Sequence, residues 1–284
     1  MRHASIFTAA LLPGLLGAIP TGAMAQTTIP MAQAAGGVDV IEATVDGHQG
    51  VYMFDSGWGV SSITPNVASV IGCDPWGRIT GFRATGERVD LQRCSAAALR
   101  IGPLTRHVRE LSVIDLSKLM GRAGDRFAGG IGLDAFDGEV VTLSVARRSM
   151  TVESAASARK IARRATEVPI RLVRDSQGAA LTADLGIPTR LGTLWLEIDT
   201  GNYGPSRIDR RAAALMGIAP EGKGRQHLDV PVVGQVRFSG AAVVGDLIMD
   251  GNLGREALMG WDVTLDLAHG RGWMMPAKPS GTAS

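Results

Sequence analysis

Two short triplets, Asp55-Ser56-Gly57 and Asp199-Thr200-Gly201, stand 144 residues apart. Each directly follows an apolar run, Val51-Tyr52-Met53-Phe54 and Leu194-Trp195-Leu196-Glu197-Ile198. An aspartate at the end of a buried strand is costly to leave without a partner, and the glycine two residues on permits a tight turn that water can approach closely. Two such carboxylates facing each other at about 3 Å share one proton, because like charges at that distance cannot both ionise comfortably. The ionised member takes a proton from a water held between them, and the protonated member donates to a carbonyl oxygen. One residue type thus supplies general base and general acid, and the hydroxyls of Ser56 and Thr200 are available to hydrogen bond across the junction. The chemistry is hydrolysis without a covalent intermediate.

The elements around the triplets repeat. After the first comes Ser62-Ile63-Thr64-Pro65 and a helical run from Asn66 to Ile71 ended by Gly72; after the second comes Ser206-Arg207-Ile208-Asp209 and a helical run from Arg210 to Met216 ended by Gly217. Further on, Gly129-Gly130-Ile131-Gly132 is followed ten residues after Gly132 by Thr142, and Gly251-Asn252-Leu253-Gly254 is followed ten residues after Gly254 by Thr264. Three landmarks in one register imply two homologous β-rich lobes. The first carries about 22 extra residues between triplet and glycine motif, and these include both cysteines. Arg78 to Gln92 reads there as a hairpin about the turn Ala84-Thr85-Gly86, with further strands at Leu99 to Gly102 and Val108 to Ile114.

Residues 1–25 read as a cleavable leader: Arg2 and His3, an apolar stretch from Ile6 to Ile19, and the small-x-small site Ala23-Met24-Ala25. The stretch is too short to span a bilayer, and cleavage near Ala25 implies a periplasmic or secreted protein. The remaining chain suffices for one large domain or two lobes with separate cores, and the repeat favours lobes. We expect lobes at 26–153 and 167–276, a linker at 154–166 and a disordered tail at 277–284. With 29 basic and 27 acidic residues, charge gives no reason to expect nucleic acid or an anionic membrane as partner. Cys73 and Cys94 pair as one disulfide worth about 3 kcal/mol, or are two buried thiols.

Other chemistries find little support. The glycine motifs lack the spacing and lysine of a phosphate loop, no Gly-x-Ser-x-Gly elbow exists, and His48, His107, His227 and His269 are scattered without zinc-ligand spacing. We expect no metal and no cofactor.

In its two triplets and their downstream glycine motifs the chain resembles the aspartic proteases, specifically bacterial exported proteins of the two-lobe retropepsin-like or pepsin-like kind, from about Gly37 to Met275. The resemblance implies a mainly β fold of two tandem acid-protease-like barrel lobes with short helices and a cleft between them. It implies a monomeric endopeptidase acting on peptide or protein, with Asp55 and Asp199 catalytic and Ser56, Gly57, Thr200 and Gly201 supporting them. The hairpin becomes a flap over substrate, with Phe82, Thr85 and Gly86 on it, tethered by Cys73 and Cys94; lobe 2 lacks a comparable flap. After the triplets, where the family has small or hydroxylic residues, stand Trp58 and Asn202, placed on the substrate side. The alternative they motivate is a peptide-binding protein of the same fold without turnover.

Overall fold

The computed structural model describes residues 25–278. The leader, apart from Ala25, and the tail beyond Lys278 lie outside the described residues. Each lobe is a curled sheet built around the same local frame. In lobe 1 the strand His48–Phe54 runs parallel to Gly129–Ile131, which pairs antiparallel with Ser62–Ile63. In lobe 2 the strand Gly192–Ile198 runs parallel to Gly251–Leu253, which pairs antiparallel with Ser206–Asp209. The middle strand of each frame has to lie close against its neighbour: a Cβ at Gly129 would overlap the Ser62 carbonyl, and one at Gly251 would overlap the Arg207 carbonyl. Glycine is therefore a steric requirement at both points.

The helices follow as their caps dictate. The Thr64 hydroxyl accepts from the Val67 amide to start Pro65–Val70, and the Asp209 carboxylate accepts from the Arg211 amide to start Arg210–Leu215. The hairpin expected to act as the flap runs from Trp76–Phe82 to Arg88–Cys94, and Cys73 is bonded to Cys94 at its base. The expected strand over Val108 to Ile114 is two strands, Leu104–Val108 and Leu111–Val113, broken at Arg109 and Glu110. Lobe 2 does carry a long hairpin, Gln226–Val233 with Val236–Gly245, but its turn at Gly234 lies beside Thr166.

A third sheet belongs to both lobes. Its six strands run in the order Thr27–Pro30, Ser149–Val152, Val140–Ser144, Trp261–Asp266, Arg271–Pro276 and Thr166–Val168. The two landmark threonines meet at its centre: Thr142 pairs with Thr264 in the antiparallel register, and their hydroxyls are 2.8 Å apart. The lobes therefore do not have separate cores. Val141, Leu143, Met150, Val263, Leu265 and Met274 of the shared sheet join Phe54 of lobe 1 and Leu196 and Phe238 of lobe 2 in one buried cluster. Between the lobes, Ser154 caps the helix Ala155–Arg164, none of whose residues is buried, and Thr166–Val168 then enters the shared sheet.

Candidate active site

Each triplet leaves its strand at an equivalent point. The Asp55 amide donates to the Ile131 carbonyl and the Asp199 amide to the Leu253 carbonyl, both at 3.1 Å. The turns then bond to each other across the lobe junction. The Ser56 amide donates to Thr200 Oγ1 at 2.9 Å and the Thr200 amide donates to Ser56 Oγ at 3.0 Å, while the Ser56 hydroxyl donates to the Ile198 carbonyl. Both side chains are buried, so the four polar groups satisfy one another where water cannot.

This exchange brings the carboxyl groups together. Asp55 Oδ1 accepts from the Gly57 amide at 2.7 Å and from the Gly201 amide of the other lobe at 2.9 Å. A Cβ at Gly57 would lie 3.1 Å from the Asp199 carboxyl and 3.4 Å from Asp55 Oδ1, and one at Gly201 would overlap the Asp55 carboxyl. Both glycines are small because two carboxyl groups occupy the space beside them. Burial is the largest influence on Asp55 and raises its pKa against the amides of Gly57 and Gly201. Asp199 is pushed up to about 8, by burial first and then by the charge of Asp55. As a pair they hold one proton well above the ordinary carboxylate range.

The surroundings of the two aspartates differ. Asp199 Oδ1 accepts from the Asn202 amide at 2.9 Å, and its Oδ2 accepts from the Asn252 side-chain amide at 2.7 Å. Asn252 is held in turn by Asn202, whose Nδ2 donates to Asn252 Oδ1 and to the Pro205 carbonyl, each at 3.0 Å. Lobe 1 puts Trp58 and Gly130 at the corresponding positions. The Trp58 indole donates to Ser62 Oγ at 3.0 Å, and its ring lies over Gly130, within 2.8 Å of where a Cβ would be. Trp58 packs on Val38, Val40, Met53, Leu116 and Phe127. Trp58 and Asn202 thus both commit their polar groups within their own lobes, and Asn202 serves Asp199 through Asn252. Asn252 was visible in the sequence only as part of a glycine motif; that its register partner is Glu197, two residues before Asp199, is the signal that places it at the site.

The flap meets lobe 2 at two places. At its tip the Ile248 amide donates to the Ala84 carbonyl at 2.9 Å, with Gly86 packed under the Ile248 side chain. Nearer its base, a Cβ at Gly81 would be 3.2 Å from Ser176 Oγ, and Arg93 donates to the Gln177 side chain. Thr85 and Phe82 are exposed on this hairpin. Behind the site a second bridge ties the lobes, through residues that no motif in the sequence singles out. The Arg255 guanidinium is ion-paired with Asp39, both buried, and stacks over Tyr203, whose hydroxyl accepts from the Asp39 amide at 2.8 Å. Among the described residues no group of three or more His, Cys, Asp or Glu is arranged to hold a metal ion, and no helix is long and apolar enough to cross a membrane.

Residues 41–135 match the family model described as Aspartyl protease. Among solved structures, basic 7S globulin from soybean is similar with a TM-score of 0.56 and 11% identity, over 89% of this chain and 95% of that one. Conglutin gamma, a basic 7S globulin from lupine seeds, is similar with a TM-score of 0.55 and 11% identity, over 90% and 95%. The fold is acid-protease-like. The matched segment contains Asp55, the hairpin over residues 76–94 and the first glycine motif, and the structural likeness extends through both lobes. No curated protein sequence matches it.

Proposed function

We propose that the chain is an exported aspartic-type endopeptidase in which Asp55 and Asp199 activate a water against a peptide carbonyl. The observation that carries this reading is the donation of the Gly201 amide in lobe 2 to the Asp55 carboxylate in lobe 1, beside the reciprocal bonds of Ser56 and Thr200. Two half-buried carboxyl groups that share a proton can remove one from water and supply one to the carbonyl oxygen. The water oxygen bonds to the acyl carbon, and the C–N bond breaks as the amine takes up a proton. An extended peptide in the cleft gains backbone hydrogen bonds from the flap hairpin. The Cys73–Cys94 disulfide favours an oxidising compartment such as a periplasm or the exterior.

The test is digestion of a peptide library by the mature chain from Gln26. Asp55→Asn and Asp199→Asn should each lower kcat/KM by roughly a thousandfold or more, since removing one member of a unit that acts together removes most of its effect. Cleavage at the wild-type rate by either variant would end the proposal. Recovery of a chain beginning near Gln26 from an exported fraction tests the leader.

Peptide binding without turnover is the second reading. It is favoured by lobe 1, where Trp58 and Gly130 give Asp55 no counterpart of the Asn252 side-chain amide that serves Asp199. It requires peptides that bind the wild-type chain and are recovered uncleaved from pH 3 to 8.

A further inference from the structure

The equivalence of the lobes assigns a role to a third carboxyl group. Met53 and Glu197 each lie two residues before an aspartate of the pair, on matching strands. Met53 is in register with Val40 and Gly130, and Glu197 is in register with Asp184 and Asn252. Alternation along a strand puts each on the same face as the aspartate that follows it. In lobe 1 that face is apolar: Met53 is buried with Val38, Val40, Leu116 and Phe127. In lobe 2 the same face carries a polar row across neighbouring strands, Arg171, Asp184, Glu197 and Asn252.

All but one of that row have partners. Arg171 is paired with Asp184 at 2.6 Å and stacks on Trp195, and Asn252 donates to Asp199. Glu197 makes no hydrogen bond or ion pair among the described residues, yet it is only partly buried and keeps accessible surface. A carboxyl group in a largely enclosed place with no protein donor is complete only when something from outside brings one.

We infer that Glu197 is a specificity-determining residue that takes the cationic end of a lysine or arginine side chain of an extended peptide, on the lobe 2 side of the scissile bond. The inference rests on the peptidase reading for the word scissile, and on the structure alone for the cation. The charged groups that face Glu197 are Asp199 on its own strand segment, Asp55 from lobe 1, Asp184 on the adjacent strand and Asp175 in the loop before it. Arg171 beyond Asp184 is committed to that aspartate, and Arg207 beyond Asn252 is exposed. Burial, and then the charges of Asp199, Asp55, Asp184 and Asp175, hold the Glu197 proton well above the ordinary range. Selectivity for a cation should therefore strengthen as pH rises and Glu197 ionises.

The experiment compares two peptide series in which the residues flanking a cleaved bond are lysine, norleucine or glutamate, using the mature chain and Glu197→Gln. Cleavage is read as kcat/KM. Binding of the same peptides to the Asp55→Asn chain, with and without Glu197→Gln, is read by fluorescence anisotropy. The expected result is a preference of about tenfold or more for lysine over norleucine at one flanking position, growing with pH. It should fall to about one in Glu197→Gln while norleucine peptides are still cut. Cleavage with no such preference, or with the same preference in Glu197→Gln, overturns the assignment and leaves the peptidase reading intact. Binding that favours lysine through Glu197 with no cleavage of any peptide keeps the assignment and removes the peptidase reading. Absence of both overturns both.

Discussion

Lobe 1 and lobe 2 solve the same packing problem with opposite choices. Both place a residue after the triplet glycine against the middle residue of the strand that pairs with the aspartate-bearing strand. Lobe 1 uses a large one against none, Trp58 over Gly130, and lobe 2 uses two of intermediate size, Asn202 against Asn252. The space is filled either way, but the chemistry differs. Only the lobe 2 arrangement leaves a side-chain amide free to donate to its aspartate. The two positions after each glycine motif diverge likewise. In lobe 1 Leu133 is buried and the half-buried Asp134 accepts from the Ser61 amide and hydroxyl; in lobe 2 Arg255 reaches across to Asp39 and Glu256 pairs at the surface with Arg225. A duplicated frame fixes where side chains sit and leaves their chemistry open.

The comparison can be broken hardest at Arg255. Replacing it with methionine leaves Asp39 buried beside lobe 2 without its cation, and should cost about 3–5 kcal/mol of unfolding free energy in a urea titration. A loss under about 1 kcal/mol would mean that the bridge contributes little. Asp134 is the next largest lever. Burial pushes its pKa up to about 7, from 3.8 when unfolded. The folded state then binds more protons between those values, so stability is greatest below about pH 4 and falls as pH rises toward 7, by roughly 1.4 kcal/mol per unit from this group. Asp134→Asn should flatten part of the fall of the melting temperature with pH; Asp55, Asp199 and Glu197, shifted in the same direction, should leave the rest.

Exchanging the lobes' own solutions sharpens the comparison further. Gly130→Asn forces a side chain into the Trp58 ring and should destabilise by about 1–3 kcal/mol. Trp58→Asn added to it should recover much of the loss, giving a favourable coupling in a double-mutant cycle. Additive effects would deny that the pairs are equivalent. The smallest effect is expected at Asn252. Replacing it with leucine removes one donor to Asp199 and should lower kcat/KM by about tenfold, with the alkaline limb of the pH profile moved to higher pH because the ionised form loses a hydrogen bond. A tenfold loss without that movement would point to packing alone.

Much of this is legible in the sequence. The triplets, the glycine motifs, the paired cysteines and the flap turn are local patterns with steric or covalent causes, and the structure has each of them at the residues where the sequence puts it. The Thr142 and Thr264 spacing also marked equivalent points, although not that they would touch. What could not be read shares one property, a partner far away in the chain with no distinctive residue type. Arg255 finds Asp39 across 216 positions, Asn252 finds Asp199 across 53, and Ile248 finds the flap tip through a backbone amide that any residue but proline could supply. Trp58 was legible as unusual, but its destination depended on Gly130 being empty.

The hydroxyl contact of Thr142 with Thr264 has a consequence for cooperativity. The strands that carry it, Val140–Ser144 and Trp261–Asp266, pair along their length, and the edge strands Thr27–Pro30 and Thr166–Val168 complete the sheet. Neither half can melt without stripping the other of its hydrogen-bond partners and of part of its buried cluster. Heat or denaturant should therefore take the chain apart in a single step, duplicated architecture notwithstanding.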